Sequence, residues 1–452
     1  MLTNAPHAMD ISASIKDVLA EMGATHVHLG IFDRNAVFRH KKVDREKALK
    51  LAGEGYPFCD VLYLWDTEEE VYGGGMFRDQ KAALDPTSIR SWPFAENEAI
   101  ILADFTGNFG QLSGRNQLIN QLERAEKLGF DVNAAFEFEF NLFDETPQTA
   151  REKGFRNLTP YAQANRTYSL RTSVEYADLL EEFTQMLAKM GVDVDALHTE
   201  LGPGCFEAPL KHARGLKAAD DAALFKNFAK AFFAKKGLMA CFMSKVSEDL
   251  PGQSGHMHIS LTRESDQSPA FYDANSASGL SDTAHAFAGG MLTHMPEWLA
   301  LCAHTTNAYR RLVPGAWAPT YAAWGVQNRT SALRAIPGSP KATRLEFRVP
   351  SADTNPYLAM AMALASGLNG IEAGLGAPAL REDDCYLTPA PEGTAFPLDL
   401  TEAADRLAAS ASARMAFGDA FVDNFTQACR IEDQALRVHV PAWERARYME
   451  VL

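Results

Sequence analysis

One short segment of the chain alternates strictly between large apolar and acidic side chains. Phe136, Phe138 and Phe140 alternate there with Glu137 and Glu139. A period of two predicts a β-strand with the phenylalanines on one face and the carboxylates on the other. The phenylalanine face must be core. Carboxylates on one face lie about 6.5–7 Å apart, which is unfavourable unless a cation lies beside them. The alternative is a solvent-exposed strand face.

Two further segments carry side chains typical of metal ligands. Glu200 and Glu207 flank a Gly-Pro-Gly turn, which can bring both carboxylates to one ion. His256 and His258 follow a glycine and share one face of a second predicted strand. Taken singly, acids beside a turn are usually solvated, and a lone histidine is more often a satisfied core or surface group. Together, carboxylates and one histidine pair favour Mg²⁺ or Mn²⁺ over a structural zinc ion.

Arginines cluster near a third alternating strand. Arg344, Glu346 and Arg348 share one face of that strand. Arginine binds phosphate or carboxylate through two parallel hydrogen bonds, although surface salt bridges are the alternative for any single one. Divalent ions combined with arginines are typical of phosphoryl transfer. The other clustered arginines are Arg310, Arg311, Arg329 and Arg334.

Charge and composition exclude several classes of function. The chain has 452 residues, 43 of them Lys or Arg and 58 Asp or Glu, for a net charge of −15. This acidity argues against nucleic-acid and membrane partners, but a locally cationic site can still bind a small anion. Six scattered cysteines without a CxxC pair, and the absence of a signal-peptide core, indicate a cytoplasmic location. We also expect no membrane span and find no P-loop motif.

Strands and helices are mixed along the chain without regular alternation, which predicts an α+β fold. The first part, of about 105 residues, has strand patterns such as 61–65 and 99–104 and few helices. Beyond it, helices are predicted at 116–128, at 173–190 behind a capping box at Thr172, and at 217–236. A long helix should begin at Pro356.

An ordered set of six segments resembles the glutamine synthetase family over essentially the whole chain. The resemblance implies a small N-terminal β-grasp-like domain, residues 1–108. A large catalytic domain with a curved antiparallel sheet and flanking helices would follow, residues 109–452. It also implies a ring-based homo-oligomer, often a dodecamer, with active sites between subunits. The segments are FEFEF (136–140), HTELGPGCFE (198–207), SGHMHISL (254–261), RLVPG (311–315), NRTSALRAIP (328–337) and SPKATRLEFRVPSADTNPYL (339–358).

The resemblance also implies a reaction and a set of site residues. ATP would phosphorylate the glutamate side chain, and an amine would then displace the phosphate. Two or three Mg²⁺ or Mn²⁺ ions would be held in each active site. The implied ligands are Glu139, Glu200 and Glu207 for one ion and Glu137, His256 and Glu346 for the other.

The remaining implied roles concern the substrates. Arg311 would bind the glutamate carboxylate, with the backbone of Gly252 nearby. Arg329 and Arg348 would neutralise the transferring phosphoryl group. The nucleotide phosphates and ribose would contact His258, Ser260, Arg334, Lys341 and Arg344.

One departure from the family pattern concerns the amine. Trp317 stands where ammonia-using members have a glutamate that helps bind and deprotonate ammonium. Indole cannot take a proton, but it accommodates alkyl groups and attracts cations. Asp79 is the leading replacement acid and Asp66 the second, both delivered from an adjoining subunit. Trp65 and Trp324 are further candidates for an alkyl-lined pocket, and the alternative for each of the three tryptophans is a place in the core.

Smaller departures lie beside the expected glutamate site. Cys205 stands where the family often has glutamine, and Gln253 lies in an altered loop before His256. Regulation by adenylylation at Tyr386 is not predicted, since its surroundings match poorly.

The resemblance, together with Trp317, implies an ATP-dependent ligase that joins the γ-carboxyl of glutamate to a small primary amine, with methylamine favoured. This places the chain near the γ-glutamyl amine ligase branch, close to γ-glutamylmethylamide synthetases. The alternatives are a glutamine synthetase that uses ammonia and a ligase for a larger amine such as a polyamine or ethanolamine. A non-catalytic family member is disfavoured because every metal ligand and phosphate arginine is present.

Overall fold

The computed structural model of the chain describes residues 8–74, 76–163 and 166–452. Three short 3-10 helices, Asp60–Tyr63, Pro86–Ser88 and Leu299–Leu301, accompany the strands and α-helices of these ranges. The strands are β1 (His26–Phe32), β2 (Phe38–Asp44), β3 (Tyr56–Cys59), β4 (Asp79–Leu84), β5 (Arg90–Ser91), β6 (Glu98–Phe105), β7 (Phe130–Phe143), β8 (His198–Thr199), β9 (Cys205–Pro209), β10 (Ala213–Arg214), β11 (Met239–Cys241), β12 (Gly255–Arg263), β13 (Trp324–Val326), β14 (Leu333–Ile336) and β15 (Arg344–Phe347). The helices are α1 (Ala8–Glu21), α2 (Arg45–Glu54), α3 (Gly107–Gly110), α4 (Gly114–Lys127), α5 (Pro147–Glu152), α6 (Leu170–Glu175), α7 (Ala177–Lys189), α8 (Leu216–Lys235), α9 (Asp282–Trp298), α10 (Ala308–Arg311), α11 (Pro356–Ala373), α12 (Leu400–Ala409), α13 (Ala411–Phe417), α14 (Asp419–Val438) and α15 (Ala442–Tyr448).

The strands form two sheets. The first has the order β2-β1-β6-β4-β3, with β5 paired to β6, and β1 and β6 run parallel at its centre. The second has the order β13-β14-β15-β12-β7-β9-β8, with β10 and β11 also paired to β7. Its pairings are antiparallel except for β13 with β14, which departs from the purely antiparallel expectation. With helices packed against both sheets, the predicted α+β fold is confirmed.

The alternating segment forms the centre of the second sheet, as predicted. Phe136, Phe138 and Phe140 of β7 are fully buried. Phe138 stacks on Phe225 of α8 at a ring-centroid distance of 5.8 Å, so this face of the sheet is covered by the helix. The opposite face of β7 carries Glu137 and is available for a functional site.

Two local predictions were wrong. Residues 61–65 form no strand: Leu62 and Tyr63 are both buried in a 3-10 turn, where the Tyr63 hydroxyl donates to the Phe32 carbonyl at 3.0 Å. The strand of this region is β3, which ends at Cys59, just before the predicted segment. The predicted helix 173–190 is instead α6 and α7, separated at Tyr176. Ser169, not Thr172, caps α6, because its hydroxyl accepts the Thr172 N–H.

Arg115 of α4 joins the first sheet to helix α8 through a buried ion-pair network. Its guanidinium contacts Asp85, which follows β4, at 2.5 Å, and Asp104 of β6 at 2.7 Å. It also contacts Asp220 of α8 at 2.8 Å, and Tyr357 donates to the same carboxylate. The network thus spans the expected boundary near residue 108. That division stays a prediction.

No helix within the described ranges combines the length and apolar composition needed to cross a membrane.

Candidate active site

A cavity of about 580 Å³ opens on the polar face of the second sheet. It is lined by side chains from β7, β8, β9, β12, β14 and β15 and from the loops after them. The structure therefore brings together thirteen of the sequence-predicted site residues from six separate segments. They are Glu137, Glu139, Glu200, Glu207, Gly252, His256, His258, Arg311, Trp317, Arg329, Arg334, Arg344 and Arg348.

Strand register determines which of these side chains meet. Glu137 lies directly opposite His256, and Glu139 directly opposite Glu207. On the other side of β12, His258 lies opposite Glu346. Directly opposed residues have Cβ atoms about 4.5–5.5 Å apart. The strand pairing alone therefore brings these acidic and histidine side chains close together on one face of the sheet.

The first group of ligand atoms consists of Glu137, His256 and Glu346. Each residue offers one ligand atom, a carboxylate oxygen or a ring nitrogen, and these three atoms lie within 4.8 Å of one another. Nδ1 of His256 lies 3.5 Å from Oε1 of Glu346. Burial, reinforced by the charges of Arg348 and Arg311, holds the pKa of His256 well below its usual value. A neutral imidazole is the form that binds a metal ion. This group is the one predicted from the sequence.

The second group consists of His198, Glu200 and Glu207, again within 4.8 Å. His198 was not predicted; its signal is the short strand β8, which pairs it directly with Glu207. Glu139 lines the same cavity outside this group, because its carboxylate accepts the Ser254 N–H at 2.6 Å. The second group therefore contains His198 in the position where the sequence suggested Glu139.

The second group is electrostatically unfavourable by itself. Burial, together with the neighbouring charges of Glu139, Glu137 and Glu200, raises the pKa of Glu207 to about 9. Burial also raises the pKa of Glu139. Carboxylates crowded in this way are typical of a cation site. The oxygen-rich donor set fits a hard divalent ion.

Arginines surround the first group. Arg348 and Arg334 both contact the Glu346 carboxylate, at 2.5 Å and 2.9 Å. Arg344 donates to Nδ1 of His258 at 3.0 Å, and Nε2 of His258 lies 2.9 Å from Glu137. Glu346 is thus shared between the ligand group and the two guanidinium groups. An exposed Arg329 completes the cationic side of the cavity.

Arg311 is held almost fully buried at the cavity wall, with 2% of its surface exposed. It donates to the Val349 carbonyl at 2.9 Å and to the Ser351 hydroxyl at 3.3 Å. Burial lowers the pKa of Arg311 to about 10, although Glu139 opposes the shift. A Cβ at Gly252 would lie 2.8 Å from Cγ of Arg311, so only glycine allows this close approach.

A second cavity of about 230 Å³ adjoins the first. Four of the five residues assigned to the nucleotide line it, and the fifth, Arg334, lines the larger cavity. Glu137 and Arg344 are among the residues that line both. The four residues are His258, Ser260, Lys341 and Arg344.

The three candidate tryptophans lie in different places. Trp317 lines the larger cavity, with 60% of its surface exposed. Its φ of +55° is a left-handed conformation that a bulky residue rarely adopts. Trp324 is fully buried and donates to the Pro378 carbonyl, so its assignment to an alkyl pocket is wrong. Trp65 lies in the N-terminal region under Arg39. Only Trp317 belongs to the cavity.

The two candidate acids also lie in the N-terminal region. Asp66 accepts the N–H groups of Glu68 and Glu70 in a turn. Asp79 is the exposed first residue of β4. Among the residues the structure describes within one chain, neither lines the larger cavity. Their delivery from an adjoining subunit stays a prediction.

Several lining residues gave no sequence signal. Tyr168 is the most notable: its ring centroid lies 5.0 Å from that of His198, and its φ is +54°. Leu201 is an exposed apolar side chain on the same wall. Both lie in irregular loops, where periodicity carries no information. Other such residues are Thr167, Pro251, Ser254 and Ala316.

Comparison with known proteins agrees with this geometry. The model of the glutamine synthetase catalytic domain matches residues 111–448. A glutamate–isopropylamine ligase of a Pseudomonas species is 32% identical over 449 residues, covering 97% of this chain and 98% of its own. A γ-glutamylethanolamide synthetase of Streptomyces coelicolor is 34% identical over 377 residues, covering 83% of this chain and 80% of its own.

The fold is also similar to solved structures. The structure of a GmaS–ADP complex superposes with a TM-score of 0.84 at 27% identity, covering 96% of this chain and 99% of that chain. A second GmaS structure, without ligand, gives a TM-score of 0.83, covering 96% of this chain and 98% of that chain, again at 27% identity. The chain therefore belongs to the glutamine synthetase family of ligases.

Proposed function

We propose that the protein joins the γ-carboxyl of glutamate to a small primary amine, with methylamine favoured, while ATP is converted to ADP and phosphate. The observation that carries the proposal is Trp317 at the wall of a cavity that is also lined by members of both ligand groups and by the arginines. An indole cannot accept a proton from ammonium, but its apolar face accommodates a methyl group. Its π face also attracts a cationic amine.

Two sets of side chains would hold Mg²⁺ or Mn²⁺. Glu137, His256 and Glu346 form the first set. Glu200 and Glu207 form the second, with His198 or Glu139 as their further partner. The ions would neutralise charge on the phosphate oxygens, as divalent ions do in phosphoryl transfer.

The chain's own cations would orient the anionic substrates. Arg311, with the Gly252 backbone beside it, would bind the amino-acid carboxylate of glutamate. Arg329 and Arg348 would stabilise charge on the transferring phosphoryl group. Ser260 and Lys341, on the smaller cavity, would contact the nucleotide.

The chemistry takes two displacements. A γ-carboxylate oxygen of glutamate attacks the terminal phosphorus of ATP, and ADP leaves. The amine nitrogen then attacks the activated carbonyl carbon, phosphate leaves, and the nitrogen loses a proton. Asp79, or else Asp66, of an adjoining subunit in a ring-shaped homo-oligomer would accept that proton.

Two alternatives differ only in the nitrogen substrate. Ammonia would make the protein a glutamine synthetase, the name carried by a 34% identical relative from Dictyostelium discoideum. A larger amine is supported by the similarity to the glutamate–isopropylamine ligase and the γ-glutamylethanolamide synthetase. The exposed position of Trp317 at the cavity wall supports an alkyl amine over ammonia.

The test is phosphate release with glutamate and ATP across a panel of nitrogen donors. The panel contains ammonia, methylamine, ethylamine, isopropylamine, ethanolamine and putrescine. We expect the highest kcat/KM with methylamine. The highest kcat/KM with ammonia would contradict the proposal, and a preference for isopropylamine or putrescine would support the larger-amine alternative.

A further inference from the structure

Asp353, in the connection between β15 and α11, lies between two hydroxyl groups from distant parts of the chain. The Ser244 hydroxyl donates to Oδ1 of Asp353 at 2.7 Å. The Thr305 hydroxyl donates to Oδ2 at 2.5 Å. Hydrogen bonds to a charged acceptor are among the stronger ones in proteins. One carboxylate therefore fastens three segments together.

The Ser244 segment leads to the wall of the larger cavity. The carbonyl of Ser244 accepts the N–H of Gln253 at 2.7 Å, which closes the loop that carries Gly252. The next N–H along the chain, that of Ser254, donates to Glu139. A shift of Ser244 would therefore move the backbone that contacts both Glu139 and the proposed glutamate pocket.

The Thr305 segment leads to Arg311. The Thr305 hydroxyl that donates to Asp353 also accepts the N–H of Ala308 at 3.1 Å. Ala308 is the first residue of α10, and Arg311 is the last residue of this single turn. The carboxylate of Asp353 thus controls where the turn begins, and through it where the guanidinium of Arg311 lies.

The segment of Asp353 itself closes the arrangement. The N–H of Ala352 donates to the Gln253 carbonyl at 3.1 Å. Ser351 accepts from Arg311 at 3.3 Å. Among the described residues, Ser244, Thr305 and Asp353 do not line either cavity, so they would act on a ligand only through Gly252 and Arg311.

We propose that Asp353 is a positioning residue that sets the distance between the Gly252 loop and Arg311, and so controls the affinity for the amino-acid substrate while leaving that for the nucleotide unchanged. The inference rests on the proposed function, since it takes glutamate as the ligand of Arg311. Ser260 and Lys341, which would contact the nucleotide, line the smaller cavity and not the larger one, and neither bonds to Gly252, Arg311 or Asp353 in the hydrogen bonds described above.

The test uses the full-length protein with Ser244→Ala, Thr305→Val and Asp353→Asn. Ser244→Ala and Thr305→Val each remove one charge-assisted hydrogen bond, and Asp353→Asn weakens both of them. We expect each variant to raise KM for glutamate roughly tenfold. KM for ATP should stay within about twofold of that of the unchanged protein. Ser247→Ala is the matched control, since it removes a hydroxyl of the same loop that does not contact Asp353. Thr305→Ser keeps the hydroxyl and should restore the KM for glutamate.

A double variant separates positioning from general damage. If Ser244 acts through Asp353, the effects of Ser244→Ala and Asp353→Asn should combine to less than their product. Parallel changes in both KM values with a lowered Tm would overturn the inference, as would an unchanged KM for glutamate. Calorimetric measurement of glutamate binding reports the change in affinity for glutamate without turnover. If the protein without substitutions neither binds glutamate nor releases phosphate with it, the proposed function is contradicted as well. If that protein is active but the variants show the same KM for glutamate, only the role of Asp353 is contradicted.

Discussion

Glu137 of β7 and His256 of β12 lie directly opposite each other in the antiparallel sheet. Their positions are fixed by backbone hydrogen bonds between long strands, and Glu346 joins them from β15. A ligand set built on strands is pre-organised, so removal of one side chain leaves the others in place. The two ligand groups should therefore respond to mutation separately.

The first prediction is that His256→Ala weakens one Mn²⁺-binding event and leaves a second. Loss of a nitrogen ligand from a three-residue set should reduce the affinity by at least about tenfold. Mn²⁺ titration followed by electron paramagnetic resonance measures both events. His439→Ala, at an exposed position near the C-terminus, is the control and should bind as the unchanged protein does. Equal Mn²⁺ binding by the His256 variant would contradict the assignment.

The second prediction concerns the amine. Trp317→Glu introduces a carboxylate at the cavity wall and removes apolar surface, so the ratio of kcat/KM for methylamine to that for ammonia should fall roughly tenfold or more. Trp443→Glu is a matched control, because Trp443 is similarly exposed, at 57%, and lies on α15 away from the cavity. Selectivity that is unchanged in the Trp317 variant would count against the role of the indole.

The third prediction concerns glutamate. Arg311→Lys keeps the positive charge but loses the forked geometry in which Nη1 contacts the Val349 carbonyl and Nη2 contacts the Arg348 carbonyl. We expect KM for glutamate to rise about tenfold or more. Arg310→Lys is the control at the neighbouring exposed position. The measurement is steady-state kinetics with glutamate varied at saturating ATP. The same KM for glutamate in both variants would refute the assignment of Arg311 to the glutamate carboxylate.

The fourth prediction concerns stability. Arg115→Ala leaves the carboxylates of Asp85, Asp104 and Asp220 without their shared cation. Breaking a buried ion pair in this way costs roughly 3–5 kcal/mol. Chemical denaturation should therefore show a large loss in the Arg115 variant. Arg124→Ala, on the same helix at a more exposed ion pair, should lose about 1 kcal/mol or less. Similar losses in the two variants would contradict the importance of the network.

Alternation could be recognised from the sequence because it depends only on neighbouring residues. The phenylalanine face of β7 and the histidines of β12 were predicted in this way. The register between β7 and β12 could not be predicted, since these two strands lie more than a hundred residues apart. His198 was missed for another reason: its partner Glu207 is close in the sequence, but β8 has only two residues, too few to show an alternating pattern.

Burial of single aromatic residues also escaped prediction. Trp317 and Trp324 are seven positions apart, yet one lines the cavity and the other lies in the core. Leu62 and Tyr63 are both buried although neighbours on a strand would face opposite sides. Each outcome depends on contacts with distant segments, and no local pattern reports those contacts.

Glu137 and Arg344 line both cavities, so the two spaces meet at these side chains. On the proposed assignment, nucleotide and amino acid would lie in adjoining cavities. A single inhibitor that links an adenosine phosphate to a glutamate mimic would occupy both chambers at once. Since linking two binding groups removes much of the entropic cost of the second binding event, such a bisubstrate compound should bind far more tightly than either half.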